Sequence, residues 1–336
     1  MTRLISPDFT PPCRTDVPAF ARALSNRLWE DRNIAGLDNL LAPDVILRTP
    51  DQVLHGAGAV LAALLAERAA CPDLQALCED TIWCDTTARQ GDGEPGFLCA
   101  NRLTALAGHS GDGLFGPASG TRLRARMMLD VWCTGDRVRE GWLIRDTAAI
   151  HRALGQDPKS AVRQSLSQDS GLESCAPPLT PDTDPDGAYG GRGDDSPTGD
   201  HLSDLVKRIM TGEFSAIAHH YDRACALAYP GGTDEIGHLA AERFWMGLRS
   251  AFPSASFRID HCMGLKDAGA APRAALRWSL YGKHDGFGAF GPPTGAYVYV
   301  MGMTHAEFGP HGLRRDWTLL DVAAIWKQIL LATGAV

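Results

Sequence analysis

Two aspartates hold the same place in a repeated Trp-x-x-x-Asp motif, which runs from Trp142 to Asp146 and again from Trp317 to Asp321. On a β-strand alternate residues share a face, so each tryptophan and its aspartate are predicted to point the same way. A carboxylate on an apolar, aromatic face loses hydration, and its pKa then rises toward the range useful for proton transfer. Asp146 and Asp321 are therefore candidate catalytic acids or bases. Because each aspartate precedes a helical stretch, capping of that helix is an open alternative.

A histidine and a glutamate, His305 and Glu307, share one face of another predicted strand. His305 is a candidate catalytic residue, because an imidazole near an acid can set the protonation state of Asp321 or bind an oxyanion. Glu307 is assigned to the substrate-binding residues. The alternative for this face is the convex or partner-facing side of the sheet.

Large aromatic side chains and one turn histidine complete the predicted substrate-binding residues, which are Trp142, Trp278, His284 and Trp317. Most buried tryptophans belong to a core, but a core side chain can also form part of the wall of an adjoining pocket. For His284, and for its counterpart His109, a hydrogen bond within a turn is the open alternative.

Two glycine-rich stretches, Gly111–Gly116 and Gly286–Gly291, match the spacing G-x-G-x-x-G. The dinucleotide-binding form of this pattern needs a strand before it and a helix after it. Here a proline turn and another strand follow, so we predict tight hairpin connections and no bound nucleotide. The adjacent His219 and His220 lack further ligands at a usable spacing, and we expect neither a metal nor an organic cofactor.

These motifs recur in one register, at an offset of 175 residues. Residues 102–150 align with 277–325 without a gap, and within them Phe115–Gly120 matches Phe290–Gly295. Chance would rarely place a tryptophan, a proline and four glycines in one register. An internal repeat of this kind indicates two copies of one structural unit.

The order of elements predicts the fold class. In each copy helices come first and antiparallel strands last, which is typical of an α+β fold. We therefore predict two tandem domains, 15–156 and 201–333, each with a curved antiparallel sheet packed on helices. The stretch 157–200 between them is rich in Pro, Gly, Ser and Asp, so we predict a flexible acidic linker, with a docked stretch near 161–166 left open.

The charge, the cysteines and the apolar runs of the chain indicate which partners and which compartment suit it. The net charge of −8 disfavours a nucleic-acid partner, because phosphate binding needs a concentrated basic face. The nine cysteines contain no C-x-x-C pair, which suits free thiols in a reducing compartment. The longest apolar run, Ala57–Ala66, is too short to span a bilayer. We expect a cytoplasmic protein without a membrane partner or a signal segment.

The motif order H-x-G-x-G-x-F-G-P-x-x-G, a strand, W-x-x-x-D and a closing helix resembles the SnoaL-like polyketide cyclase family, within the nuclear transport factor 2-like and ketosteroid isomerase-like superfamily. The resemblance implies that the two tandem domains are cone-shaped, each with a bent sheet wrapped around helices and an apolar pocket inside, and that a ring is closed by aldol condensation without a cofactor. It also implies that Asp146 and Asp321 are the acid/base residues. The first copy departs from the pattern, with Leu103 where the second has Trp278 and Ala118-Ser119 where it has Pro293-Thr294.

Three functions remain open. The first is a cofactor-independent cyclase or isomerase that acts on a small apolar carbonyl compound, polyketide-like in character. The second is a binding module of the same fold without chemistry. The third, an epoxide-type hydrolase, needs an acid–arginine–acid arrangement, and neither Arg145 nor Arg314 has the right parity with its aspartate. The expected partners are an apolar small molecule and the other copy, in an internal pseudo-dimer, with a homodimer left open.

Overall fold

The computed structural model describes residues 16–31, 34–87, 93, 95–168 and 176–335. A first unit spans residues 17–153. Its helices and strands are α1 (Val17–Ser25), β1 (Leu41–Thr49), β2 (Gln52–His55), α2 (Gly56–Ala70), β3 (Gln75–Thr86), β4 (Gly96–Gly108), β5 (Arg122–Thr134), β6 (Arg137–Arg145) and α3 (Thr147–Ala153). A π-helical turn (Asn26–Glu30) and a 3₁₀ turn (Ile34–Asn39) connect α1 to β1.

A second unit spans residues 197–333, after a connecting helix α4 (Pro158–Gln168). Its helices and strands are α5 (Pro197–Met210), α6 (Ser215–His220), β7 (Tyr221–Tyr229), β8 (Thr233–Ile236), α7 (His238–Ala251), β9 (Ser256–Leu265), β10 (Arg273–Lys283), β11 (Tyr297–Gly309), β12 (Gly312–Leu320) and α8 (Val322–Thr333).

The two units share one sheet topology. The strand orders are β2-β1-β6-β5-β4-β3 and β8-β7-β12-β11-β10-β9, so every strand of one sheet has a counterpart in the other. The predicted α+β class with two similar units is confirmed. One detail differs, because β1 pairs with β6, and β7 with β12, in parallel. Each sheet is therefore mixed. The hairpin formed by its first two strands lies beside the last strand of the antiparallel meander.

Both faces of each sheet are buried. The face that packs on the helices of its own unit, here called the inner face, contributes to a separate apolar core in each unit. The opposite face, here called the outer face, packs against the outer face of the other sheet. This third cluster draws on both units and comprises Ile82, Cys84, Leu98, Ala100, Met128, Trp132, Trp142, Ile144, Leu179, Met263, Ala275, Tyr299, Met301, Met303 and Leu319.

Polar contacts also join the two outer faces. His261 Nε2 and Asp130 Oδ2 lie 2.7 Å apart, and both side chains are almost fully buried. Arg273 of the second unit pairs with Asp80 of the first. A buried polar pair is satisfied only when the two sheets meet in one register, so these contacts specify how the units pack. The association state of the chain in solution stays a prediction.

The connecting segment differs from the flexible linker predicted from its composition. Residues 158–168 form α4, whose Lys159 lies 4.5 Å from the ring centre of Trp326 on α8. Farther along, Leu179 is buried between the sheets and the Tyr189 ring packs against Trp132. A few apolar side chains at these points suffice to dock the segment. Residues 169–175 of the predicted linker and the first residue of the predicted first domain lie outside the described residues.

Asp146 ties the end of the first sheet to the second unit. It caps α3 by accepting a hydrogen bond from the backbone N–H of Ala149, at 3.1 Å. It also accepts from the N–H groups of Gly231 and Gly232, at 2.7 and 2.8 Å, in the turn between β7 and β8. The glycines adopt positive φ there, which other residues rarely do. One carboxylate thus satisfies three backbone donors.

We expect Asp146→Ala to lower the free energy of unfolding by about 3 kcal/mol, because it removes a cap and leaves buried donors without an acceptor. Chemical denaturation measures the loss. The matched control is Asp157→Ala, which removes an exposed aspartate bonded only to Ser160 and should cost about 1 kcal/mol or less. Equal losses in the two variants would show that Asp146 does no more than cap its helix.

Candidate functional site

A cavity of about 520 Å³ lies inside the first unit. Apolar side chains of the inner face and of the helices form most of its wall, including Leu24, Leu28, Leu41, Val45, Val60, Leu64 and Leu143. The connecting helix α4 and the last helix of the second unit, α8, also line it. The cavity is therefore completed by segments from outside the unit that contains it.

The polar groups of the cavity come from both units. Glu67 and Arg145 belong to the first unit, as does Asp51 in the turn between β1 and β2. Asp321 and Lys327 come from the second unit. A largely apolar cavity with a few convergent charged groups is typical of a small-molecule site.

Three cavity-lining positions explain why the space lies in the first unit. Leu41, Thr49 and Gly141 line the cavity, and the sheet registers place Tyr221, Tyr229 and Asp316 at the same positions of the second unit. There Asp316 is fully buried and accepts hydrogen bonds from the hydroxyls of Tyr221 and Tyr229, at 2.8 and 3.0 Å. These larger side chains occupy the corresponding interior of the second unit.

Asp321 is the acidic group with the most strongly altered proton affinity in the cavity. It caps α8, and its Oδ1 accepts hydrogen bonds from the N–H of Ala324, at 3.0 Å, and from the hydroxyl of Thr147, at 2.5 Å. Burial and, after it, the negative charge of Asp51 raise the pKa of Asp321 to about 7, although these hydrogen bonds oppose the rise. Both of these bonds end on Oδ1.

Asp146 and Asp321 are equivalent in the repeat and differ in surroundings. Burial also raises the pKa of Asp146, but three backbone N–H groups oppose the rise, and Asp146 does not line the cavity. In the turn that contacts Asp146, Gly231 follows Pro230. In the equivalent turn of the first unit, Asp51 follows Pro50. A like charge thus replaces a hydrogen-bond donor. Both aspartates cap their helices, and only Asp321 also faces the cavity.

A buried ion pair forms part of the cavity wall. Arg145 donates through Nε and Nη2 to the two carboxylate oxygens of Glu67, both at 2.9 Å. Trp29 Nε1 donates to the same carboxylate at 3.2 Å. Bidentate pairing of this kind fixes the plane of the guanidinium group. The arrangement holds one cation rigidly against the cavity.

The predicted orientation of the two Trp-x-x-x-Asp motifs is wrong. Trp142 and Ile144 lie on the outer face, in the cluster between the sheets, and Arg277 stacks 4.2 Å from the Trp142 ring centre. Trp317 likewise packs on that cluster, with Arg102 at 3.9 Å. The inward-facing residues of β6 are instead Gly141, Leu143 and Arg145. Neither predicted tryptophan lines the cavity.

His305 and Glu307 also lie away from the cavity. His305 is 1% exposed, and neither of its ring nitrogens has a hydrogen-bond partner among the described residues. Burial lowers the pKa of His305 to about 4, so its imidazole is neutral. It lies opposite Trp317 in the sheet, while Glu307 pairs with Arg314 at 2.5 Å. The alternative of a partner-facing side fits this placement, and a catalytic role for His305 has no support from the cavity.

Trp278 and His284 lie in the second unit, and neither lines the cavity. Trp278 is fully buried, and its indole N–H donates to Thr304 Oγ1 at 3.2 Å. His284 Nδ1 lies 3.0 Å from Thr294 Oγ1, as His109 Nδ1 does from Ser119 Oγ. The alternative of a hydrogen bond within the turn is thus confirmed for both histidines. The glycine stretches form tight bridges between β-strands, as predicted.

Glu67, Arg145, Asp51 and Lys327 were absent from the sequence-based site. Glu67 continues the buried stripe of Val60 and Leu64 on α2, and a charge at helical spacing on an apolar stripe is the signal that could have found it. Arg145 shares its parity with Leu143. A comparison of Arg145 with the adjacent Asp146 alone misses its place in the site, because the acids that Arg145 contacts lie elsewhere in the chain.

Two further observations concern the described residues alone. None of the helices described is long and apolar enough to cross a membrane. Likewise, in the part of the chain that the structure describes, no three His, Cys, Asp or Glu side chains group as a metal site would require.

Part of the chain is similar to a known protein family. The model of the SnoaL-like polyketide cyclase family matches residues 202–329. A search of curated proteins found no significant match. Similar solved structures include IdmH from Streptomyces antibioticus, which is 22% identical over 41% of this chain and 97% of that chain, with a TM-score of 0.34.

Two other similar structures are TsrD from Streptomyces laurentii and a SnoaL-like polyketide cyclase from Agrobacterium tumefaciens. TsrD is 22% identical over 42% of this chain and 96% of its own, with a TM-score of 0.34. The Agrobacterium protein is 18% identical over 40% of this chain and 98% of its own, with a TM-score of 0.32. The match to the SnoaL-like polyketide cyclase model thus covers the second unit, over residues 202–329, and the first unit repeats the sheet topology of the second.

Proposed function

We propose that the cavity of the first unit binds a small, largely apolar carbonyl compound, and that Asp321, supplied by the second unit, exchanges a proton with it. The observation that carries this proposal is the position of Asp321 in the cavity, with a pKa of about 7. An acid/base group is most effective when its pKa lies near the working pH. The apolar wall suits a ligand with few polar groups.

The chemistry follows from that one group. The carboxylate of Asp321 removes a proton from a carbon next to a carbonyl group, which leaves an enolate. In a cyclase the enolate carbon forms a bond to a second carbonyl carbon of the same molecule, and the oxygen of that carbonyl takes the proton back as a hydroxyl. In an isomerase the proton returns to a different carbon. Both reactions are complete without a further reactant.

A binding module without chemistry is the alternative. The same apolar cavity would bind a ligand whether or not Asp321 transfers protons, and the match of the second unit to the family model is compatible with either activity. The two functions differ in whether the α-protons of a bound ketone exchange with solvent. A simple ketone such as 2-tetralone can therefore distinguish them before the natural substrate is known.

We expect the protein to accelerate exchange of the α-protons of 2-tetralone in D₂O, and Asp321→Asn to abolish the acceleration while 2-tetralone still binds. The asparagine still offers an oxygen to Ala324 N–H, so the helix cap is retained. Proton NMR follows the exchange, and quenching of tryptophan fluorescence follows binding. Exchange at the wild-type rate in the variant would remove Asp321 as the base. Binding without accelerated exchange in the wild type would favour the binding module.

The pH dependence of this exchange should depend on Asp51. The base is the ionised form of Asp321, so the rate should rise as the pH passes about 7. Asp51→Asn removes the like charge, lowers the pKa of Asp321, and should move the midpoint to lower pH. Asp44→Asn is the matched control, since Asp44 is an exposed aspartate of β1 that pairs with Arg139. If both variants keep the wild-type midpoint, the coupling between Asp51 and Asp321 is refuted.

The free energy of unfolding should also depend on the protonation of Asp321. The folded chain holds the Asp321 proton up to pH about 7, whereas the unfolded chain releases it near pH 4. Wild-type stability therefore falls across that window relative to Asp321→Asn, and the loss is complete above pH 7. Between pH 4 and pH 8 the free energy of unfolding of the variant should rise relative to that of wild type by up to about 4 kcal/mol, at roughly 1.4 kcal/mol per pKa unit. Chemical denaturation at pH 4 and pH 8 measures the difference, and a constant difference would contradict the raised pKa.

A further inference from the structure

The Glu67–Arg145 ion pair leaves one group of the guanidinium unused. Nε and Nη2 of Arg145 both bond to Glu67. The third nitrogen, Nη1, makes no hydrogen bond to the part of the chain that the structure describes, and Arg145 lines the cavity. The Arg145 side chain is 22% exposed, so this nitrogen is not sealed in the core and is open to a ligand. A ligand oxygen in the cavity would supply a hydrogen-bond partner.

The surroundings hold this donor in place. The side chain of Glu67 is 8% exposed, accepts both Arg145 bonds, and takes a third from the indole of Trp29. Burial by itself lowers the pKa of Arg145, but the charge of Glu67, followed by those of Asp51 and Asp321, outweighs it and raises that pKa. The guanidinium therefore stays charged, fixed in orientation and within electrostatic reach of Asp321.

The charges of the cavity favour one kind of oxygen. Arg145 is paired with Glu67, and the carboxyl groups of Asp51 and Asp321 share the cavity with one further cation, Lys327. A ligand carboxylate would bring one more negative charge into an apolar cavity, at a high desolvation cost. A neutral ketone oxygen brings no charge until its enolate forms.

We propose that Arg145 Nη1 donates a hydrogen bond to the ketone oxygen of the ligand and stabilises the enolate that forms when Asp321 removes the α-proton. The substrate class is therefore a neutral ketone, with its oxygen on Arg145 and its acidic carbon toward Asp321. This inference rests on the proposed function of the cavity. A fixed donor aimed at an oxygen that gains charge is a strong source of rate acceleration.

The test compares wild type with the double variant E67L/R145M, which replaces the buried pair by apolar side chains of similar size, a change that folded proteins often tolerate. The probe is 2-tetralone, and the readout is the infrared C=O stretching frequency of the bound ketone. We expect a lower frequency in wild type than in the double variant, and about tenfold tighter binding of 2-tetralone in wild type. Tetralin, which lacks the carbonyl, should bind both equally.

A second variant and a control keep the test informative if the double variant fails to fold. Arg145→Lys keeps the positive charge beside Glu67 but lacks the planar fork, so its C=O frequency should lie above that of wild type. Arg122→Gln removes an exposed arginine that pairs with Asp73 and should leave the frequency unchanged. Thermal unfolding reports whether each variant is folded.

Each outcome bears on one of the two proposals. If 2-tetralone binds with the same C=O frequency in wild type, E67L/R145M and Arg145→Lys, Arg145 does not contact the ketone, while the proposed cavity and Asp321 chemistry stand. If 2-naphthoate binds wild type more tightly than 2-tetralone, the neutral-ketone class is wrong. If neither tetralin nor 2-tetralone binds wild type, the proposed function of the cavity fails.

Discussion

The central constraint on this molecule is a carboxylate buried beside another carboxylate. Asp321 is 6% exposed and feels the charge of Asp51, an arrangement that opposes ionisation in a medium of low polarity. It persists because Asp321 caps α8 and accepts a hydrogen bond from Thr147, and because α8 is carried to the cavity by the second sheet. The packing of the two outer faces thus sets the proton affinity of a group in a cavity on the inner side of the first sheet.

Duplication followed by divergence explains why two similar units are not equivalent. At the ends of β6 and β12 the same residue type, aspartate, meets a glycine turn in one case and an acidic turn in the other. In the interiors, Leu41, Thr49 and Gly141 leave space where Tyr221, Tyr229 and Asp316 fill it. The second unit, although it matches the family model, supports the first with a helix and an acid. The departures of the first copy from the motif pattern therefore do not argue against a site there.

The sequence predicted the repeat and the α+β class, and it offered the helix caps and the turn hydrogen bonds of the histidines as alternatives to catalytic and binding roles, because each depends on local spacing or on direct comparison of the two copies. The sequence did not predict which face of β6 and of β12 points inward. Strand periodicity identifies two faces, and it marks the inner one only when the other is exposed to water. Here Trp142 on the outer face is as buried as Leu143 on the inner face. Nor could local spacing bring Asp51, Glu67 and Arg145 to an acid more than 170 residues away.

Because the proposed site is assembled from both units, the packing between the sheets is part of the proposed chemistry. The buried His261–Asp130 contact and the Arg273–Asp80 pair fix one sheet on the other, and that register decides how far α8 extends over the cavity. A shift of about 1 Å at a catalytic group is enough to cost much of its rate. Substitutions on the outer faces, far from any ligand, would therefore act on the first unit through Asp321. The site of the first unit depends on the second unit, and a single covalent chain favours their association. It supplies the two units in a fixed ratio and at a high effective concentration.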